Sequence, residues 1–470
     1  MKIQNSKYIL ALFPIGVFLL FYFQLKFDGL YGQDAYEYLR YSKALKNYLI
    51  TGVNPGDYFW PLFYPIFGAL LSFITQNVAV ALLIVSVLSF SLSGFYLHKI
   101  INLLFAQAKH SVIYLFVFFI VSPIIFKNGM LIMSDMLSLC FIVLSVYHFL
   151  KFKKLKFLKN FYFLAVFSLL AFMTRYASAV VLLPFVISGV WLFFKHKKSL
   201  KHLLFIAVIL GVLLLPHFVI RMQNPTAFLA HQWVKDWSFL NLFKRNFSTI
   251  DGNSKNSMPN IIFVFSNFFH PRFLFAGIVF IPFLWKYSLI KKLRIYNISI
   301  VLYALFLAGI PFQNSRFLIV SFPIILIILF PVFNYLSQLK FIKNLFGIGI
   351  VLSIILQFFL IAKIFKSTLD RNNFEIEMAN LLQPYQQKTL YSFDVDIALQ
   401  GRDLDFNYIN LWYKRYYNLQ KGDLILFHPT KFKEQWQGRN PMLNFNHFKD
   451  NYKLIVLKEL PQGWKLYKIE

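Results

Sequence analysis

Long apolar runs, separated by short stretches rich in Lys and Arg, repeat along most of the chain. Runs long enough to cross about 30 Å of hydrocarbon fall near residues 8–25, 78–98, 110–126, 134–150, 160–175, 177–194, 202–220, 268–285, 295–311, 316–335 and 343–363, which predicts about eleven membrane helices. The stretch "PLFYPIFGALLSFIT" at 61–75 is short and holds Pro61, Pro65 and Gly68, so the charge pattern decides whether it crosses. If it lies in the interface, Lys2, Lys7, Lys99, Lys109, the clusters at 151–159, 195–201 and 286–294, and Lys340 with Lys343 all fall on the cytoplasmic side. That agreement selects the interfacial placement. The loops at 26–77, around 127–134, 221–267 and 312–316, and everything after about 364, are then outside. The opening "MKIQNSKYILALFPIGVFLLFYFQ" puts lysines before an apolar run with no small-residue cleavage site after it, and reads as a retained first helix.

After residue 364 the pattern changes. Asp, Glu, Gln and Asn become common, and "KTLYSFD", "GDLILFH", "YKLIVLKEL" and "WKLYKIE" have strand length and β-prone composition, while 371–383 has the pattern of a helix. The predicted fold is an all-α polytopic membrane protein plus a small extracytoplasmic α/β domain. The domains are 1–363, with interfacial helices in the first outer loop at 26–77, and 364–470. No internal repeat points to an inverted-repeat transporter.

Composition agrees with this pattern. Of 470 residues, 58% are hydrophobic and only 14% charged, and the mean hydropathy is +0.58, outside the range of soluble domains. A formal charge of +29 raises nucleic acid as a partner, but the cations sit in clusters between spanning runs, which argues against it. The single cysteine, Cys140, lies in an apolar segment, so no disulfide or thiolate metal site forms within one chain.

The chemistry-bearing residues gather on the outer side. In "GLYGQDAYEYLRYSKAL", at 29–45, helical spacing puts Asp34, Tyr38, Tyr41 and Leu45 on one face and Tyr36, Arg40, Lys43 and Asn47 on another. Asp34 has two readings, a helix cap or a functional carboxylate, and Glu37 reads as a supporting or solvated charge. Asp135, in "FKNGMLIMSDMLSL", sits at the outer mouth of a membrane helix, where a carboxylate is costly unless solvated, paired or functional. Outer cations are few: Arg40, Lys43, Arg175, Arg221, Arg272 and Arg316. One arginine at a helix end snorkels to headgroups; as a set they have the chemistry to ring a phosphate. His231 and His270 show no metal-ligand spacing with the carboxylates. The outer tyrosines Tyr31, Tyr36, Tyr38, Tyr41, Tyr58 and Tyr64 suit sugar stacking and equally suit a membrane interface.

Taken in order, "GQDAYEYLRYSKAL", "WPLFYPIFGALLSFI", "SDMLSL", "TRYASAVVLLP" and "NSRFLIVSFPIILI" resemble the GT-C superfamily of membrane glycosyltransferases, in its protein-mannosyltransferase and aminoarabinose-transferase-like branch, over residues 8–335. The resemblance implies an enzyme that moves a sugar from a polyprenyl-phosphate carrier to a hydroxyl of a glycan, lipid or protein on the extracytoplasmic face, usually with inversion. It maps the family's two loop acids onto Asp34 and Asp135, the catalytic candidates. Where relatives often carry a Lys followed by two prolines, this chain has "FWPLFYP", with Phe59 and Trp60 in place of the basic residue. The candidates for substrate and phosphate binding are therefore Glu37, Arg40, Lys43, Arg175 and Arg316. A divalent metal is an option that two acids without histidine do not demand. The alternative is a transporter or flippase of lipid-linked glycans, which would place its ionisable residues nearer the middle of the membrane.

Overall fold

The computed structural model describes residues 7–105, 108–222, 232–249, 252–275, 277–288, 290–340 and 343–470; Lys2 and His231 lie outside them. The chain divides into two units, Met1–Gly29 with Tyr41–Phe243 and Met258–Phe365, and Leu30–Arg40 with Lys244–Ser257 and Lys366–Glu470.

The first unit is helical. It contains α1 (Ile9–Gln24), most of α2 (Gly32–Thr51), α3 (Phe63–Thr75), α4 (Val78–Leu104), α5 (Ser111–Leu115), α6 (Pro123–Gly129), α7 (Ser134–Leu155), α8 (Leu158–Thr174), α9 (Ser178–Lys195) and α10 (Lys201–Arg221). After the single turns α11 (Gln232–Lys235) and α12 (Asn260–Phe263) come α13 (Gly277–Ser288), α14 (Arg294–Ala308), α15 (Ser315–Ile319), α16 (Phe322–Leu336) and the apolar part of α17 (Lys343–Leu382). Among the described residues, five helices are each long and apolar enough to cross a membrane, six if one bent pair forms a single span, and four more apolar helices are shorter.

Helix α7 is the centre of this unit, packed against α4, α8 and α9 and buried along nearly its whole length. Hydroxyl groups bind helices of this unit to one another where side chains are otherwise apolar. Ser138 meets Ser178 of α9 at 2.6 Å, and Ser299 of α14 donates to the Val181 carbonyl at 2.6 Å. Small polar residues of this kind let helices approach and hydrogen-bond across apolar interfaces. The 13 residues of α3 reach only about 20 Å at 1.5 Å per residue, short of the hydrocarbon thickness. At Gly68 a Cβ would run into Leu82, so glycine permits the close approach of α3 to α4.

Two expected spans are broken. The run 110–126 is α5 continued by a π-helical segment, Phe116–Ile120, and then α6 at 73° to it. Pro123, at the start of α6, has no N–H to continue the preceding helix, and its ring clashes with the turn before it. The run 316–335 is likewise split into α15 and α16 just before Pro323. The run expected at 268–285 is helical from Gly277 to Ser288, preceded by a 3-10 turn at Ser266–Phe268 and the His270–Pro271–Arg272 corner. These breaks bring charged residues to helix ends.

The second unit holds the first turns of α2, the antiparallel hairpin of β1 (Asn246–Thr249) and β2 (Gly252–Lys255), and the end of α17. It then continues through β3 (Thr389–Ser392), α18 (Asp396–Gly401), β4 (Asn407–Asn410), β5 (Leu424–Phe427), α19 (Asn440–Asn451), β6 (Leu454–Glu459) and β7 (Lys465–Ile469). The sheet order is β4-β3-β5-β7-β6, parallel across β4-β3-β5 and antiparallel across β5-β7-β6. Every residue of β5 is buried, as a strand covered on both faces requires, and Phe427 stacks on Phe445 of α19 with ring centroids 4.3 Å apart. The segment 371–383, expected to be helical, is the end of the 40-residue α17, which runs on until the turn containing Pro384. Helices long and apolar enough for a membrane, joined to a small C-terminal α/β unit, are the fold class the sequence implies.

Candidate functional site

A buried cluster of charge in the first unit lies where α7 begins. Asp135 is in the first turn of α7 and is completely buried. One of its carboxylate oxygens accepts from Nη1 of Arg175, and the other from Nε and Nη2 of Arg316 at 3.1 and 2.9 Å. Each partner comes from a break in a helix. Arg175 ends α8 in extended conformation before α9 begins, and Arg316 lies in α15, started by Asn314, whose side chain accepts from the Arg316 backbone N–H at 2.9 Å. The Arg175 guanidinium also lies 5.7 Å from the centroid of Phe317. A buried carboxylate with both oxygens engaged in this way is satisfied, and it fixes two arginines whose own side chains are mostly buried.

More positive charge lies nearby. Lys127 of α6 is within electrostatic reach of Arg272 and Arg316. The Arg272 carbonyl accepts from the Ile124 N–H at 2.9 Å, and Ser122 donates to the Phe273 carbonyl at 2.8 Å, which fixes this corner to the start of α6. The cluster therefore gathers four cations, Lys127, Arg175, Arg272 and Arg316, two of them paired with the Asp135 carboxylate. Sequence reading passed over Lys127, because one lysine in "PIIFKNGM" looks like a snorkelling residue. The signal available was its position between Pro123 and Gly129, where a helix has to break.

A second feature of the first unit is a cavity of about 190 Å³ lined by Tyr41, Asn54, Gly56, Asp57, Tyr58, Ile220 and Arg221. The Tyr41 and Tyr58 rings stack at 4.0 Å with 10° between their planes. The Asn54 side chain accepts from the Gly56 N–H at 2.7 Å, and Gly56 takes φ +79°, which a glycine adopts without strain. Arg221 ends α10 and is 5% exposed. Its Nη2 donates to the Trp60 carbonyl at 3.0 Å, while its buried Nε has no hydrogen-bond partner among the described residues. A buried guanidinium with an unused donor is costly unless something fills the remaining position. Trp60 thus holds a cation through its backbone carbonyl.

The remaining candidates lie on α2. Asp34 is in its first turn and half-buried. Glu37 and Arg40 form a bidentate pair within one turn, with Arg40 Nε and Nη2 at 2.7 and 2.5 Å from the two carboxylate oxygens. Lys43 is exposed. The structure thus joins Asp135 with Arg175 and Arg316, and Glu37 with Arg40. His270 accepts from the Arg272 N–H at 3.2 Å. Among the described residues, no group of three or more His, Cys, Asp or Glu side chains is gathered as a metal ion would require.

Residues 60–220 match the family described as dolichyl-phosphate-mannose-protein mannosyltransferase. Among solved structures, the chain is similar to ArnT from Cupriavidus metallidurans bound to undecaprenyl phosphate, with a TM-score of 0.63, 11% identity and 97% of each chain covered. The apo state of the same protein aligns with a TM-score of 0.58 and 12% identity, again over 97% of each chain. Among curated protein sequences, none matches.

Proposed function

We propose that this protein is a glycosyltransferase of the plasma membrane, which moves a sugar from a polyprenyl-phosphate carrier to a hydroxyl of a glycan, lipid or protein on the extracytoplasmic face. The observation that carries this reading is the Arg221 cavity: a buried arginine whose Nε–H meets no acceptor among the described residues, beside two stacked tyrosines. A phosphate headgroup supplies the acceptor that this donor lacks, and the rings offer a surface for a sugar or isoprenoid. The undecaprenyl phosphate bound to the structurally similar ArnT supports the same ligand class here.

In the reaction, the bond between the anomeric carbon and the phosphate oxygen breaks with the electron pair leaving on phosphate. The acceptor oxygen bonds to the opposite face of the sugar, giving inversion, and its proton passes to a carboxylate. Charge builds on the phosphate in an oxocarbenium-like transition state, so fixed cations lower the barrier. Asp34 is the proposed base. It is half-buried in the first turn of α2. Asp135 has a different proposed part, holding Arg175 and Arg316 in place so that, with Lys127 and Arg272, they give the region a positive field for an anionic donor. The exposed Lys43 and the Glu37–Arg40 pair extend the polar surface of α2 available to the donor headgroup.

The test uses purified protein in proteoliposomes, supplied with polyprenyl-phosphate sugars and a panel of hydroxyl acceptors. Glycosylated product and free polyprenyl phosphate are expected, and Arg221→Met should raise the donor KM by roughly 10- to 100-fold, the loss of one or two charged hydrogen bonds. Movement of a lipid-linked sugar across the bilayer without any transfer product would instead establish a transporter.

A further inference from the structure

The second unit contains an arrangement that the proposed reaction leaves unexplained. Strand β3 lies between β4 and β5 and runs parallel to both, so the strand order reverses there. In open sheets of this kind, the crevice beyond the carboxyl end of such a strand is where a ligand normally sits. Here the segment that follows β3, through α18 to Arg402, meets a side chain of the same chain, Tyr36 of α2. A Cβ at Gly401 would run into the Tyr36 ring, and the Arg402 guanidinium lies 5.6 Å from the ring centroid.

The hydroxyl of Tyr36 is held as closely as its ring. Tyr36 is fully buried and donates to Oε2 of Glu375 at 2.6 Å, while Glu375, itself 1% exposed, accepts from Nε of Arg371 at Oε1, 2.5 Å away. Arg371 also reaches Asp394, just after β3, at 3.3 Å, and Lys431 binds the same carboxylate at 2.8 Å. One turn from Glu375 on α17, Asn372 donates to the Leu30 carbonyl, just before α2, at 3.0 Å. The first turns of α2 are therefore held at a ring, a hydroxyl and a backbone carbonyl. At 100° per residue Asp34 and Tyr36 point to nearly opposite sides of the helix, so fixing Tyr36 sets the direction of Asp34.

We propose that the C-terminal domain acts as a positioning device for α2, in which Glu375, Arg402 and Gly401 grip Tyr36 and so fix the direction of the Asp34 carboxylate. This rests on the reading of Asp34 as the base. Tyr36 and Glu375 are positioning residues that act through Asp34. Displacing a reacting group by about 1 Å costs up to roughly 100-fold in rate, so their loss should appear in kcat.

The experiment compares Tyr36→Phe, Glu375→Gln and Asp34→Asn, with the two pairwise combinations that contain Asp34→Asn, in the full-length protein. Hydrogen exchange over residues 32–40 is measured alongside the kinetics. Tyr36→Phe and Glu375→Gln should each lower kcat about tenfold or more, leave the donor KM within about twofold, and speed exchange over 32–40. In the Asp34→Asn background neither should slow the residual rate further. An unchanged kcat in both single variants, or the same loss with and without Asp34, overturns the grip. Full activity of Asp34→Asn overturns the assignment of the base, a separate result from a different protein.

Discussion

Asp135 and Asp34 look alike in the sequence, each an acid in the first turn of a helix following an outer loop, yet the structure gives them different surroundings. Asp135 is fully buried, with two guanidinium groups on its two oxygens; Asp34 is half-buried on a helix whose opposite side is gripped. A carboxylate already shared by two arginines is poorly placed to collect a proton from a substrate, because taking it would abandon both pairs. A carboxylate at a partly open position, on a helix fixed by other residues, has access and direction together. Sequence position alone therefore does not distinguish an acid that organises cations from the acid proposed as base.

Substitutions at four acids separate these roles. Asp34→Asn should lower transfer by roughly 10²- to 10⁴-fold, the usual loss for a general base, with an unchanged melting temperature in detergent. Asp135→Ala should do the reverse in kind. It leaves two guanidinium groups without their carboxylate, a change that typically costs about 3–5 kcal/mol, seen as a lower melting temperature or poor recovery of folded protein. Should Asp135→Ala melt normally but lose all transfer, the contrast between the two acids would collapse.

Asp396 gives a third case, a buried acid to which a neutral amide donates, Asn410 Nδ2 at 2.6 Å from its carboxylate. Burial pushes its pKa up to about 6, against the hydrogen bond from Asn410, which favours the ionised form. Because the folded value is raised, its contribution to stability is fully present below the unfolded value near 4 and is lost as pH rises through about 6. The C-terminal unit should therefore gain roughly 2–3 kcal/mol from this group between pH 7.5 and pH 4. Melting curves of wild type and Asp396→Asn across that range check it, and the variant should lack this part of the dependence. The smallest effect belongs to Glu37→Gln. Its partner Arg40 is about one-third exposed, so the pair contributes at most about 0.5 kcal/mol and melting should barely change.

Much of the architecture is legible in the sequence. The apolar runs became helices, and four segments read as strands became β3, β5, β6 and β7. Hydropathy did not show the breaks at Pro123 and Pro323, because a missing N–H leaves an apolar run just as apolar. Strand β4, "NYIN", and the hairpin of β1 and β2 were missed because they are short and polar, with no alternation to mark a buried face. In the candidate site, the residue types were readable but their pairing was not. Arg175 and Arg316 stand 40 and 181 positions from Asp135, and only tertiary packing of α7, α8 and α15 brings them to one carboxylate. Arg221 looked like any arginine at a helix end until its burial set it apart from the snorkelling set.

The solitary Cys140 has a practical consequence. It is 3% exposed in the middle of α7, so the wild-type chain is close to silent toward thiol reagents in intact membranes. A cysteine introduced at Gln33 or Lys154 would then carry nearly all of the label, and membrane-impermeant maleimide would report which side each position faces without removing Cys140.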